Sequence, residues 1–237
     1  MEFLTEFPAL GRRDLRDLRL AIDQSFKNFS REYGEQIEAI FDPLLQFLIG
    51  FERLLQSTPW PVFIAVVCGL AWLASRSIRI VIGTAISFYL IGLFGMWEDT
   101  MSTVSMIAVS TLLCISVGLP IGVLMSRSDR AQSIVTPILD VMQTIPSFVY
   151  LIPVVMLLGI GKVPGLIAVV IYAIPPMIRL TNLGIRLVDS EVLEAADAFG
   201  ANPWQRLIQV QIPLALPNIF AGVNQTIMMS LAMVVIA

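Results

Sequence analysis

Asp140, Gln143, Thr144 and Ser147 stand at i, i+3, i+4 and i+7 within an apolar run, a spacing that puts them on one face of a helix. A polar stripe in a segment of membrane length either lines a water-accessible path or hydrogen-bonds to neighbouring helices. Asp140 is the only acid well inside an apolar run, so it is the one candidate there for handling a proton or a cation. A second group, EAADAFGANPWQRLIQVQIP from Glu194 to Pro213, offers a surface rather than a reactive group. Ser190 reads as an N-cap, with Glu191 and Glu194 in or near the first turn, where the helix dipole favours acids. Gly200 stops that helix by its ease in the left-handed conformation. Asn202 caps a second helix with Pro203 at its first position, and that helix is expected to end before Pro213. Ala195, Ala196 and Ala198 leave so little bulk that another backbone can approach closely. The stretch is a docking element or a hairpin that only links two spans.

The elements that position these groups belong to a membrane. Of 237 residues, 57% are hydrophobic and 14% charged, against about 45–50% and about 25% for a soluble domain. The net charge of −3, with no Lys/Arg run, gives no reason to invoke nucleic acid. The sequence has no histidine, which removes Ser-His-Asp catalysis, His-based zinc sites and histidine proton relays together. Cys68 and Cys114 lie in apolar runs and read as packing residues, not as a disulfide or metal pair. No nucleophile–base pair, catalytic residue or metal-ligand cluster can be assembled, and no phosphate-binding GxxxxGK[ST] loop is present, so this chain alone does not hydrolyse ATP.

Residues 1–58 form an N-terminal amphipathic, extramembrane segment without the pattern of a signal peptide. Leu15, Leu18, Ile22, Phe26 and Phe29 recur at helical spacing, as do Ile37, Ile40, Phe41, Leu44, Leu45 and Leu48, with Asp42-Pro43 reading as a junction of two helices. These pieces lie in the interface, pack on the bundle or meet a partner. Residues 59–237 form the transmembrane domain, with candidate spans at Pro59–Ser75, Ile80–Trp97, Met101–Met125, Ile134–Ile160, Val163–Ile178 and Asn218–Ala237. The fold class is all-α, a polytopic helical bundle with a loop at about 186–217. Arg76, Arg79, Arg127, Arg130, Arg179, Arg186 and Arg206 fall in alternate connections, while Glu98, Asp99 and Lys162 fall in the others. The positive-inside rule then puts the loop in the cytoplasm and the N-terminus outside.

The fourth span carries Pro137, Pro146 and Pro153, each removing a backbone donor, and is expected to be broken. Pro175-Pro176 and Asn224-Gln225 read as further interruptions, and Gly118, Pro120 and Gly122 as loosening the third span.

Glu194-Ala195-Ala196, three residues, Gly200, nine residues and then Val210-Gln211-Ile212-Pro213 resembles the EAA loop of ABC importer permeases, with Val210 and Ile212 as mild departures. The runs from Pro137 to Pro153 and from Ile171 to Thr181 are similar to those of the glycine betaine/proline betaine (quaternary amine) branch. The resemblance implies a type I importer permease of the bacterial inner membrane, moving a small quaternary-amine osmolyte into the cytoplasm. Its implied partners are an ATP-binding subunit, an external substrate-binding protein and a second permease copy, in a homodimer. The implied cofactors, ATP and magnesium, sit on the ATPase and none on this chain. Glu194, Ala195, Ala196 and Gly200 carry over as positions of the coupling helix, with Asn202 and Pro203 shaping its second arm. The path would include Asp140, Gln143, Thr144 and Ser147, together with Phe148, Tyr150 and Tyr172, whose rings can take a quaternary ammonium by cation–π contact. A stand-alone ion-coupled transporter or channel is the alternative, with Asp140 as its single candidate charge. Members of this branch continue past the sixth span with a further hydrophobic segment, whereas this chain stops at Ala237 in mid-run, as a truncated protein or part of a longer one would.

Overall fold

The computed structural model describes residues 11–236; for 26, 30, 31, 33–35, 37 and 38 it describes the backbone alone. Residues 1–10, Ala237 and the side chains of Phe26 and Ile37, which the sequence expectations include, lie outside what is described. The chain runs through α1 (Arg12–Ser57), α2 (Trp60–Ser75), α3 (Ile78–Leu93), α4 (Trp97–Arg127), α5 (Asp129–Thr144) and α6 (Ser147–Leu158). It continues through α7 (Lys162–Arg186), α8 (Ser190–Ala198), α9 (Pro203–Gln205), a π-helical stretch (Arg206–Gln211) and α10 (Ile212–Val234).

The centre of the bundle is α7, two-thirds of whose most apolar stretch is buried, against a third for α4. Close approach in a membrane interior depends on small residues rather than on a hydrophobic drive. Gly122 of α4 is the clearest case, since a Cβ there would sit 2.6 Å from Thr181 Cβ and 2.8 Å from the Ile178 carbonyl oxygen of α7. On the other side, a Cβ at Gly184 of α7 would come within 2.7 Å of Asn218 Cβ in α10. Gly118 and Gly122 therefore do not loosen α4; they let α7 dock against it, and Pro120 sits inside an unbroken helix. Pro175 and Pro176 are likewise buried within a continuous α7, a correction to the interruption read there.

Among the described residues, three helical runs are long and apolar enough to cross a membrane: Trp97–Arg127, Lys162–Arg186 and Pro203–Val234. The fourth expected span is two helices bent by 93° at Ile145-Pro146, so the break falls at the middle one of its three prolines. Of the first two, α2 and α3 have 16 residues each, about 24 Å of helix against a hydrocarbon core of about 30 Å. They contribute no buried residue, and α2 joins the end of α1 through a 103° bend.

The Asp42-Pro43 junction is absent, because α1 is one helix of 46 residues with Pro43 inside it. Its far end packs on the bundle: Leu48 is buried with Val109 and Leu166, flanked by Leu44 and Phe51. Glu52, 7% exposed, bonds there to Ser102 Oγ at 2.6 Å and Lys162 Nζ at 2.5 Å. One carboxylate thus ties α1 to the starts of α4 and α7, a junction that no motif in residues 1–58 announced.

Candidate functional site

The elbow between α7 and α10 is built from local hydrogen bonds. Asp189, not Ser190, caps α8, its carboxylate accepting from the Glu191 N–H at 2.9 Å; a charged acceptor also answers the helix dipole. At the other end Gly200 has φ +79°, its N–H donates to Asp197 O at 2.9 Å, and the Ala201 N–H donates to Ala196 O at 3.1 Å. That pair of bonds is a Schellman motif. Immediately afterwards Asn202 Oδ1 accepts from the N–H groups of Trp204 and Gln205, while Gln205 Oε1 accepts from the Asn202 N–H, a complete capping box. Arg206 Nη1 donates to Asp197 Oδ2 at 2.7 Å and clamps the second arm to the first.

The second arm does not end before Pro213. It widens into the π-helical stretch and passes directly into α10, giving one helical run from Pro203 to Val234. Pro213 has no N–H to offer the turn before it, and a wider turn ahead of it accommodates that loss. Leu207, buried with Met177, Ile185, Ala215 and Ile219, roots the arm in the packing between α7 and α10. Only Leu187, Val188 and Asp189 separate α7 from α8. Displacement of the elbow therefore has little slack to cross before it reaches both helices.

Glu194, Ala195, Asn202 and Pro203 are exposed on the elbow, and Ala196 is half-buried. Two residues without a role in the sequence reading share that surface: Phe199, 93% exposed, and Trp204, 63% exposed. Large exposed apolar side chains on a self-bonded elbow are of the kind that a partner or the membrane interface covers. The signal was available, since both flank the caps at Gly200 and Asn202.

The expected path residues are distributed differently. Asp140, Gln143 and Thr144 are exposed on α5, but Ser147 begins α6 beyond the bend, so the four do not share one helix face. Tyr150 hydroxyl donates to the Met142 carbonyl across that bend. Tyr172 packs beside Ala168, Val169 and Met233, while Phe148 is 58% exposed. Asp140 is not an isolated acid: its Oδ1 lies 2.5 Å from Arg179 Nη2. Arg179, read as part of a connection, lies inside α7, about 10 Å from the helix end at Arg186.

A second Arg–Asp pair lies at that end. Arg186 Nη2 meets Asp129 Oδ1 at 2.7 Å and the Met125 carbonyl at 2.9 Å, while its Nε donates to Asn182 Oδ1 at 3.1 Å. The pairings 186–129 and 179–140 make α5 and α7 antiparallel and place the elbow over the joined ends of α4, α5 and α7.

Among the described residues the structure is an all-helical bundle with a self-bonded elbow rooted between α7 and α10. The chain belongs to the family described as binding-protein-dependent transport system inner membrane component, which matches residues 114–237. It is similar to the glycine betaine/proline betaine transport system permease protein of Escherichia coli, 49% identical over 195 residues, 82% of this chain and 55% of that protein. The glycine betaine/carnitine transport permease protein of Listeria monocytogenes is 42% identical over 209 residues, 85% of this chain and 74% of the relative. The glycine betaine transport system permease protein of Bacillus subtilis is 42% identical over 229 residues, 96% of this chain and 79% of the relative. The chain thus spans about half the length of the Escherichia coli protein it matches.

Proposed function

We propose that this chain is the membrane-spanning subunit of an ATP-driven importer that moves a small quaternary-amine osmolyte, such as glycine betaine or proline betaine, into the cytoplasm. The observation that carries the proposal is the elbow: a rigid, self-capped surface continuous with α10 and three residues from α7. The similar permeases are named for glycine betaine and its relatives, which supports that substrate class.

In this reading a separate ATP-binding subunit, carrying ATP and magnesium, receives the elbow on the cytoplasmic side. The exposed Phe199, Trp204 and Glu194 and the low-bulk Ala195–Ala196 face make the contact, and Gly200, Asn202 and Pro203 hold its shape. Closing of the ATPase pair displaces the elbow, and the short links to α7 and α10 convert that into rigid-body rocking of the bundle. An external binding protein delivers substrate, and a second copy of the chain completes the pathway. The N-terminus lies outside, as the positive-inside rule places it. A stand-alone ion-coupled carrier is not favoured, since Asp140, its one candidate charge, is already paired with Arg179.

The test is purification with the products of neighbouring genes, followed by ATPase assays and uptake in proteoliposomes against a panel of quaternary amines. Uptake that needs the ATP-binding subunit and ATP is the expected result. Uptake driven by an ion gradient without that subunit would overturn it.

A further inference from the structure

Arg179 and Arg186 lie on the same face of α7, about two turns apart, with side chains 34% and 33% exposed. Their surroundings are otherwise unlike. Arg186 has a structural set of partners, with bonds from Nε and Nη2 to Asn182, Asp129 and the Met125 carbonyl, joining three elements. Arg179 makes one bond, from Nη2 to Asp140, and its Nε is buried with no partner. A guanidinium is a planar fork suited to gripping a carboxylate through two parallel N–H bonds; with Nε buried, the end left for a carboxylate is Nη1 and Nη2, where Asp140 takes a single bond.

The Asp140 side chain is 58% exposed. A half-open ion pair about 10 Å inside the end of α7 is too costly to leave against lipid tails, so its open side faces water or protein. The pair also carries the two charges needed to hold a zwitterion.

We infer that Arg179 is a binding site for the carboxylate of a zwitterionic quaternary amine on its way through the bundle, with Asp140 as the resident counter-ion that the substrate displaces. The substrate carboxylate takes the guanidinium fork, and the released Asp140 carboxylate faces the ammonium end. No covalent bond forms or breaks, and the ion pair re-forms when the substrate leaves. The site selects for amines that carry a carboxylate over those that are only cationic. This inference rests on the function proposed above.

The experiment uses the complete importer in proteoliposomes with saturating binding protein and radiolabelled glycine betaine, measuring uptake and ATP hydrolysis together. Arg179→Gln is expected to lower uptake about tenfold while hydrolysis stimulated by loaded binding protein stays within about twofold of the parent. The exchanged pair, Asp140→Arg with Arg179→Asp, is expected to leave uptake low. If Arg179→Gln fails to assemble, Arg179→Lys decides, because it keeps the charge and loses the fork. Reduced uptake with intact hydrolysis then supports the site, and uptake equal to the parent overturns it. Undiminished uptake by Arg179→Gln, or recovery by the exchanged pair, shows that Arg179 only braces α5 and overturns the inference alone. A parent complex that imports no quaternary amine overturns the function itself and this site with it.

Discussion

The elbow and the broken span α5–α6 are both interruptions of membrane helices, and they are held in opposite ways. The elbow satisfies its turns from within, through the Asp189 cap, the Gly200 Schellman bonds, the Asn202–Gln205 box and the Asp197–Arg206 pair. Across the α5–α6 bend the side-chain bond is Tyr150 to Met142, with Arg179 to Asp140 beside it, and Leu139, Met142 and Leu151 pack on the rest of the bundle. A segment stabilised locally moves as one piece, whereas one held by a few outside bonds can change shape when those bonds exchange. In the function proposed above, the elbow is the rigid input and the α5–α6 span the part that changes shape.

The largest effect is expected from the platform beneath both. Gly122→Leu drives side-chain atoms into Thr181 and the Ile178 carbonyl, an overpacking that costs about 3 kcal/mol. Thermal unfolding of the purified complex should show it as a large fall in Tm, while an unchanged Tm would mean that α4 and α7 are not in this contact.

A smaller effect is expected at Gly200, where a Cβ would meet nothing within 4 Å and the penalty comes from φ +79° alone. Gly200→Val should cost about 1–2 kcal/mol in local backbone strain. Amounts in the membrane should stay near the parent's and transport should be abolished, because the strain reshapes the contact surface and spares the core. Normal transport by this variant would remove the elbow from coupling.

The smallest effect belongs to the deformable side. Phe148→Leu should slow uptake by about two- to fivefold, the size of an exposed cation–π contact of about 0.5–1 kcal/mol, with Tm unmoved. Tyr172→Leu should instead lower Tm, because that ring packs beside Val169 and Met233. An unchanged rate for Phe148→Leu would exclude it from the path.

The same contrast explains what could be read from the chain alone. Gly200, Asn202 and Pro203 act on residues a few positions away, so the turn between the elbow's two arms was legible, whereas the N-cap of α8 is Asp189, one residue before the Ser190 read there. Prolines were a poorer guide. Pro146 breaks its span, but Pro43, Pro120, Pro175 and Pro176 sit inside continuous helices, because neighbouring helices and local adjustment compensate for each missing donor. The partner of Asp140 was hidden for another reason. Arg179 is 39 residues away, and only the antiparallel docking of α5 on α7 brings the two together. Glu52 and Lys162, 110 residues apart, pair through the same kind of long-range packing.

The central claim is that the elbow passes motion from a separate ATP-binding subunit to α7 and α10. Its most direct test is a cysteine at Ala195, with Cys68 and Cys114 replaced, in the complex purified with that subunit. The account predicts a cross-link from position 195 to the ATP-binding subunit whose yield changes between nucleotide-free and ATP-bound states. No cross-link in any nucleotide state, or labelling of position 195 only by reagents confined to the outside, would contradict it.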